Sequence, residues 1–117
     1  MFIALIVATV VLSAIAVGSA IGKLRKAEQV VAAIHGTVGV PLRLLPVLAG
    51  LEIAGAVGIL IGLAVEPLGI AAATGLVLYF VGAVIGHLRV GDTRGVAQPV
   101  LPLVLSIAVL VLRVTTA

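Results

Sequence analysis

The chain has 117 residues, of which 63% are hydrophobic and 9% charged, with a mean hydropathy of +1.47. A water-soluble domain carries roughly 25% charged residues to cover its core, so this composition excludes one and makes lipid the solvent. The lack of cysteine excludes disulfide frameworks, thiol redox chemistry, iron–sulfur ligation and cysteine-based zinc sites. The net charge of +3, from seven basic and four acidic residues, is too small and too scattered for a nucleic-acid surface.

Apolar runs of about 18 residues or more are long enough to cross a hydrocarbon layer of roughly 30 Å as helices. Four spans are expected, at about residues 2–22, 44–65, 68–88 and 99–114, in a single transmembrane domain covering 1–117. The first holds no charge and only Thr9, Ser13 and Ser19 as polar side chains. Gly18-Ser19-Ala20 resembles a leader cleavage site, but no Lys or Arg precedes Lys23, so the segment is expected to remain as a span. Glu66-Pro67 is expected to make the tight turn between the second and third spans, since proline suits the first turn of a new helix. Pro99 is expected to open the fourth span.

Between the first two spans, Leu24, Ala27, Val30, Val31 and Ile34 recur at helical spacing, opposite Arg25, Lys26, Glu28 and Gln29. This predicts a short helix lying in the membrane interface, ended by Gly36 and followed by a turn at Gly39-Val40-Pro41. A solvated extension of the first span is the alternative. The two connectors on one side carry Lys23, Arg25, Lys26, Arg43, Arg89 and Arg94, against Arg113 on the other. Under the positive-inside rule the connectors are cytoplasmic and both termini lie outside.

Residues 18–25 (Gly-Ser-Ala-Ile-Gly-Lys-Leu-Arg) align with 82–89 (Gly-Ala-Val-Ile-Gly-His-Leu-Arg) at an offset of 64, with five of eight positions identical. The match fits a parallel repeat of a two-helix unit, and chance in so biased a composition is the competing account. Each copy contains Gly-xxx-Gly, and a further one occurs at Gly58 and Gly62. Such pairs let helices approach closely, within one chain or between copies in a homo-oligomer.

Ionisable groups within lipid are costly and face a bundle interior or a watered cavity. Glu52 lies roughly 9 Å beyond Pro46 along its helix, with Gly55, Ala56 and Ile59 on the same face. His87 ends the third span, with Ala83, Phe80 and Tyr79 on its side, while Thr9, Leu12, Ala16, Ser19 and Lys23 form a small, polar stripe on the first. These faces predict a cytoplasmic-side pocket lined by Lys23, Glu52, Tyr79, Phe80, His87 and Arg89. Two readings of Glu52 stand: an ion pair that fixes helix register, or a ligand or proton site. His35 reads as solvated, and Asp92 with Arg94 as a turn. No phosphate loop, nucleophilic constellation, catalytic residue set or metal-ligand spacing is present, and haem ligation would require His35 on a spanning helix.

Gly18 to Leu24, Gly39-Val40-Pro41, Leu51 to Ala56, Gly62-Leu63 and Gly82 to Asp92 together resemble the DoxX-like family of small bacterial membrane proteins. The likeness runs through almost the whole chain in order, and the family's Lys, Glu, His and Arg match Lys23, Glu52, His87 and Arg89. The resemblance implies an all-α, four-helix integral membrane bundle in the bacterial inner membrane. The family takes its name from a small subunit of an archaeal complex that passes electrons from thiosulfate to quinone. This implies an accessory subunit beside a membrane oxidoreductase rather than an enzyme on its own. With no redox group in the chain, electron transfer would involve quinone as a bound, non-covalent cofactor. Three functions compete: holding a quinone or lipid-like molecule, proton-coupled transport through Glu52, or a structural or chaperone scaffold.

Overall fold

A computed structural model describes residues 2–116, the side chain of Gln29 excepted, so the polar face expected of Gln29 lies outside the described residues. Four long helices dominate: α1 (Phe2–Leu24), α3 (Leu45–Ile61), α4 (Glu66–Arg89) and α5 (Ala97–Thr115). Each, α3 taken with the turn before it as Leu42–Ile61, is long and apolar enough to cross a membrane. A short α2 (Glu28–Val31) runs into a π-helical segment (Ala32–Val38), and a 3₁₀ turn (Leu42–Leu44) leads into α3. The helices alternate in direction and pack as a ring, α1 on α3, α3 on α4, α4 on α5 and α5 on α1. Both the α1–α3 connector and the α4–α5 loop therefore lie at one end of a bundle 43 Å long.

The bundle buries small and polar groups and exposes large apolar ones. Its interior holds Ala16, Ala20, Ala49, Ala56 and Ala73 with Thr9, Ser13, Glu52 and Ser106, around Leu5, Leu12, Ile59, Leu76, Phe80 and Val109. Ile3 and Leu78, 79% and 67% exposed, typify an outer surface of Val, Leu and Ile. With lipid outside, no hydrophobic force drives the helices together, so close contact and interhelical hydrogen bonds must do so. The stripe predicted on α1 is buried accordingly, apart from the half-buried Ser19, and the adjacent Ser13 donates to the Ala56 carbonyl at 3.4 Å. Gly58 faces Ala72, and Gly62 lies directly on Gly69, where a Cβ on either residue would meet backbone. That Gly-xxx-Gly pair is thus taken up by the α3–α4 contact inside the chain.

Four local expectations are corrected. The second span ends at Ile61, not Val65, and the turn is made by Gly62 to Val65, whereas Glu66 and Pro67 already form the first turn of α4. The close approach of Gly62 to Gly69 requires the chain to reverse that early. The interfacial element also runs past Gly36, because Val40 N–H bonds back to the Ile34 carbonyl and Gly39, at φ +88°, supplies the left-handed stop. Finally, α5 opens at Ala97, with Pro99 and Pro102 inside it.

The two halves share more than the aligned motif. A shift of 64 residues carries Phe2 onto Glu66 and Leu24 onto Leu88, one residue short of the end of α4. Both helices close with the same Schellman cap, in which the chain turns through a left-handed residue and the next N–H returns to the carbonyl five positions back. In α1 this is Ala27 N–H to Gly22, turning at Lys26 (φ 51°), and in α4 it is Asp92 N–H to His87, turning at Gly91 (φ 74°).

Candidate functional site

Lys23 ends α1 on the face turned toward α3 and reaches Glu52 Oε1 at 2.6 Å. Both groups are buried, with the Glu52 side chain 0% and the Lys23 side chain 7% exposed. Ser19, one turn back on α1, accepts from Lys23 at 2.6 Å and donates to the same carboxylate oxygen at 3.3 Å. The second oxygen, Oε2, makes no hydrogen bond among the described residues, and Tyr79 on α4 lies near this carboxylate. A charge pair this dry is held because each partner is charge-assisted by the other.

His87 is brought to the same end by α4. The Schellman cap folds the residue after the left-handed turn back over the third residue from the helix end, a place where apolar side chains commonly touch. Here those two residues are Asp92 and His87, and Asp92 Oδ2 meets His87 Nδ1 at 2.8 Å. The other carboxylate oxygen, Oδ1, accepts the Gly95 N–H at 3.0 Å. A side chain at Gly95 would collide with both the carboxylate and the ring. Hydrogen bonds from His87 and from the Gly95 amide hold the Asp92 carboxyl below the usual carboxylate range. Reading Asp92 with Arg94 as a simple turn missed this pairing, although the spacing of five residues around a glycine was visible in the sequence.

Between α1, the connector, α4 and the start of α5 lies a half-open cavity of about 830 Å³. Ligand sites typically occupy about 300–1,000 Å³ with apolar walls and a few polar groups. The connector forms one wall with Val30, Ala33, Ile34 and Val38, so the π-helical segment is what closes the cavity on that side. Ser19, Lys23, Tyr79, His87, Arg89 and Gln98 supply the polar groups. Tyr79 and Phe80 stand edge to face, ring centroids 5.0 Å apart, and both contribute to the wall. Lys23 and His87, aligned positions of the two similar segments, thus enter one cavity.

Of the predicted site residues, the structure brings Lys23, Tyr79, Phe80, His87 and Arg89 to this cavity. Glu52 stands behind Lys23 and Ser19 and does not form part of the wall. Gln98 and Asp92 were missed. His35 is exposed and bonds the Val40 carbonyl locally at 2.8 Å, consistent with the solvated reading.

A second, apolar groove of about 440 Å³ lies along the α3–α4 contact, lined by Leu51, Ala54, Gly55, Ala72, Gly75 and Leu76. Leu78 and Tyr79 belong to both spaces. At the far end Arg113, 5% exposed, donates to the carbonyls of Gly62 (3.0 Å) and Thr116 (2.7 Å), capping α3 from α5.

No curated protein and no solved structure matches the chain significantly. The model of the DoxX-like family matches residues 7–109, a stretch that includes α3 and α4 whole, most of α1 and α5, the Lys23–Glu52 pair and the His87–Asp92 pair. With the family matched over nearly the whole chain, the protein belongs to the DoxX-like family of membrane proteins.

Proposed function

We propose that the protein binds a lipid-soluble amphiphile, a quinone or a lipid-like molecule, in the cavity at the connector end of the bundle. The observation that carries this reading is the cavity of about 830 Å³ with apolar walls and few polar groups. A second groove, which shares Leu78 and Tyr79 with it, lies between α3 and α4. A polar head would meet Lys23, His87 and Arg89 while an apolar tail followed the groove. Tyr79 and Phe80 flank a ring in the head. Glu52 keeps Lys23 charged and in place rather than touching the ligand.

The exposed basic side chains Arg25, Lys26, Arg43, Arg89 and Arg94 all lie at the cavity's end, so this end faces the cytoplasm and both termini the outside. With no redox group of its own, the chain serves as an accessory or anchoring subunit beside a partner that carries the electrons.

The test is extraction of amphiphiles from protein purified in native lipid, quantified by mass spectrometry. Gly82 lines the cavity and has open space around its Cβ position, so Gly82→Leu adds bulk to the cavity wall from a backbone position that accepts a side chain. Gly82→Leu and His87→Ala are expected to remove a stoichiometric species found with the wild type. Equal content in all three proteins refutes the proposal.

A further inference from the structure

The chemistry of the ligand's head can be read from how His87 is held. Its Nδ1 edge is occupied by Asp92, and Asp92 is itself fixed by the Gly95 amide and by the cap that ends α4. The ring forms part of the cavity wall, and Nε2 makes no hydrogen bond among the described residues. A carboxylate accepts only, so its partner Nδ1 carries a proton, and a neutral imidazole then keeps its lone pair on Nε2. The other polar groups facing this space differ in kind. Lys23 from α1, already neutralised by Glu52 from α3, and Arg89 from α4 are pure donors, while the Ser19 and Tyr79 hydroxyls and the Gln98 amide can donate or accept. Donors are plentiful in this wall, and His87 is placed to supply an acceptor.

Resting on the cavity as a ligand site, we infer that the ligand's head donates a hydrogen bond to His87 Nε2 and accepts one from the cationic side. The class is a neutral hydroxyl-bearing ring or alcohol, such as a phenol or hydroquinone, with Asp92 as the positioning residue. Asp92 stays ionised well into acid, because its carboxyl is held below the usual range, so the Nδ1 proton persists wherever the protein is folded near neutrality. Protonation of His87 converts Nε2 from acceptor to donor and removes the preference for a hydroxyl head. The selectivity is therefore a property of the neutral ring, and the imidazolium lacks it.

The experiment has one arm without ligand and one with. In the first, protein labelled with ¹⁵N-histidine in lipid nanodiscs is studied by NMR at pH 8, with His87 assigned by comparison with His87→Ala. The wild type is expected to carry the neutral-state proton on Nδ1. Asp92→Ala removes the acceptor and Gly95→Ala displaces it, so both variants are expected to lose that tautomer. In the second arm, 4-nonylphenol and its methyl ether, which differ only in the hydroxyl proton, are titrated into the nanodiscs. The phenol is expected to bind about tenfold more tightly at pH 8, the effect of one well-made hydrogen bond into an apolar site. The difference is expected to shrink to about twofold or less in Asp92→Ala, and likewise in the wild type once His87 is protonated.

A proton on Nε2 of the wild type, or equal binding of phenol and ether, overturns the inference and leaves the cavity's proposed role standing. Failure of both probes to bind overturns the inference, and if no amphiphile co-purifies either, it overturns the proposed function with it.

Discussion

Replacing Lys23 by methionine tests whether the buried ion pair holds α1 and α3 in register. Glu52 has no exposed surface, and its Oε1 accepts from Lys23 at 2.6 Å and Ser19 at 3.3 Å. In Lys23→Met the Ser19 contact alone remains, in a bundle whose exterior is lipid. The carboxylate then either stays charged at a large desolvation cost or takes a proton. Two unit charges about 4 Å apart attract by about 4 kcal/mol at an effective dielectric constant near 20, and breaking a buried pair from one side costs about 3–5 kcal/mol. Lys23→Met and Glu52→Leu are each expected to lose stability on that scale. The double variant leaves no charge behind and is expected to regain most of it, because well-packed apolar replacements of buried pairs are often neutral or better. The assay is a double-mutant cycle on equilibrium unfolding in mixed micelles, read by circular dichroism. A coupling energy below about 1 kcal/mol, the range of an exposed pair, would refute the reasoning and leave Lys23 and Glu52 as independent residues.

Arg113→Leu strips donors from the carbonyls of Gly62 and Thr116 and is expected to cost about 1.5–3 kcal/mol for each charge-assisted bond lost, measured in the same unfolding assay. Gly62→Ala places a methyl against the Gly69 backbone and is expected to destabilise by about 1–3 kcal/mol. Gly50→Ala, with open space around it, is expected to be neutral or slightly stabilising. The Asp92 carboxyl titrates below its unfolded value, so its contribution is complete above about pH 4 and disappears as the pH falls through the lower folded value. A ¹³C titration of that carboxyl is expected to show a midpoint under the ordinary range, rising toward it in His87→Ala. Cysteines introduced at Thr37 and Thr115 are expected to differ in labelling by an impermeant reagent on intact cells, with Thr115 reacting and Thr37 protected until the membrane is opened.

Much of the fold was legible because the physics that selects it is one-dimensional. A span needs about 20 apolar residues wherever the helix ends up, and basic residues betray the connectors by local density alone. Lys23, Glu52 and His87 stood out because an ionisable group in lipid requires a partner. The turn after α3 was misplaced because Pro67 was the visible punctuation, while the reversal is set by the contact of Gly62 with Gly69, which exists only once α3 and α4 pack. Gly36 was taken for the helix end because glycine is the common stop. The π-helical hydrogen bonds that carry the chain on to Gly39 leave no signature in composition.

The sequence by itself determined the solvent, the number of spans and the identity of the few polar residues that lipid cannot tolerate alone. Only the tertiary structure decided which of them meet. It set Glu52 behind Lys23 rather than on the wall, and turned Asp92 from a loop residue into the partner that orients His87. It also folded the connector over the space between them. The reason is that burial and insertion depend on what a residue is, which the chain states directly. Pairing depends on the rotation and closeness of helices, and these are fixed by small-residue contacts and caps that act only when the helices are already side by side.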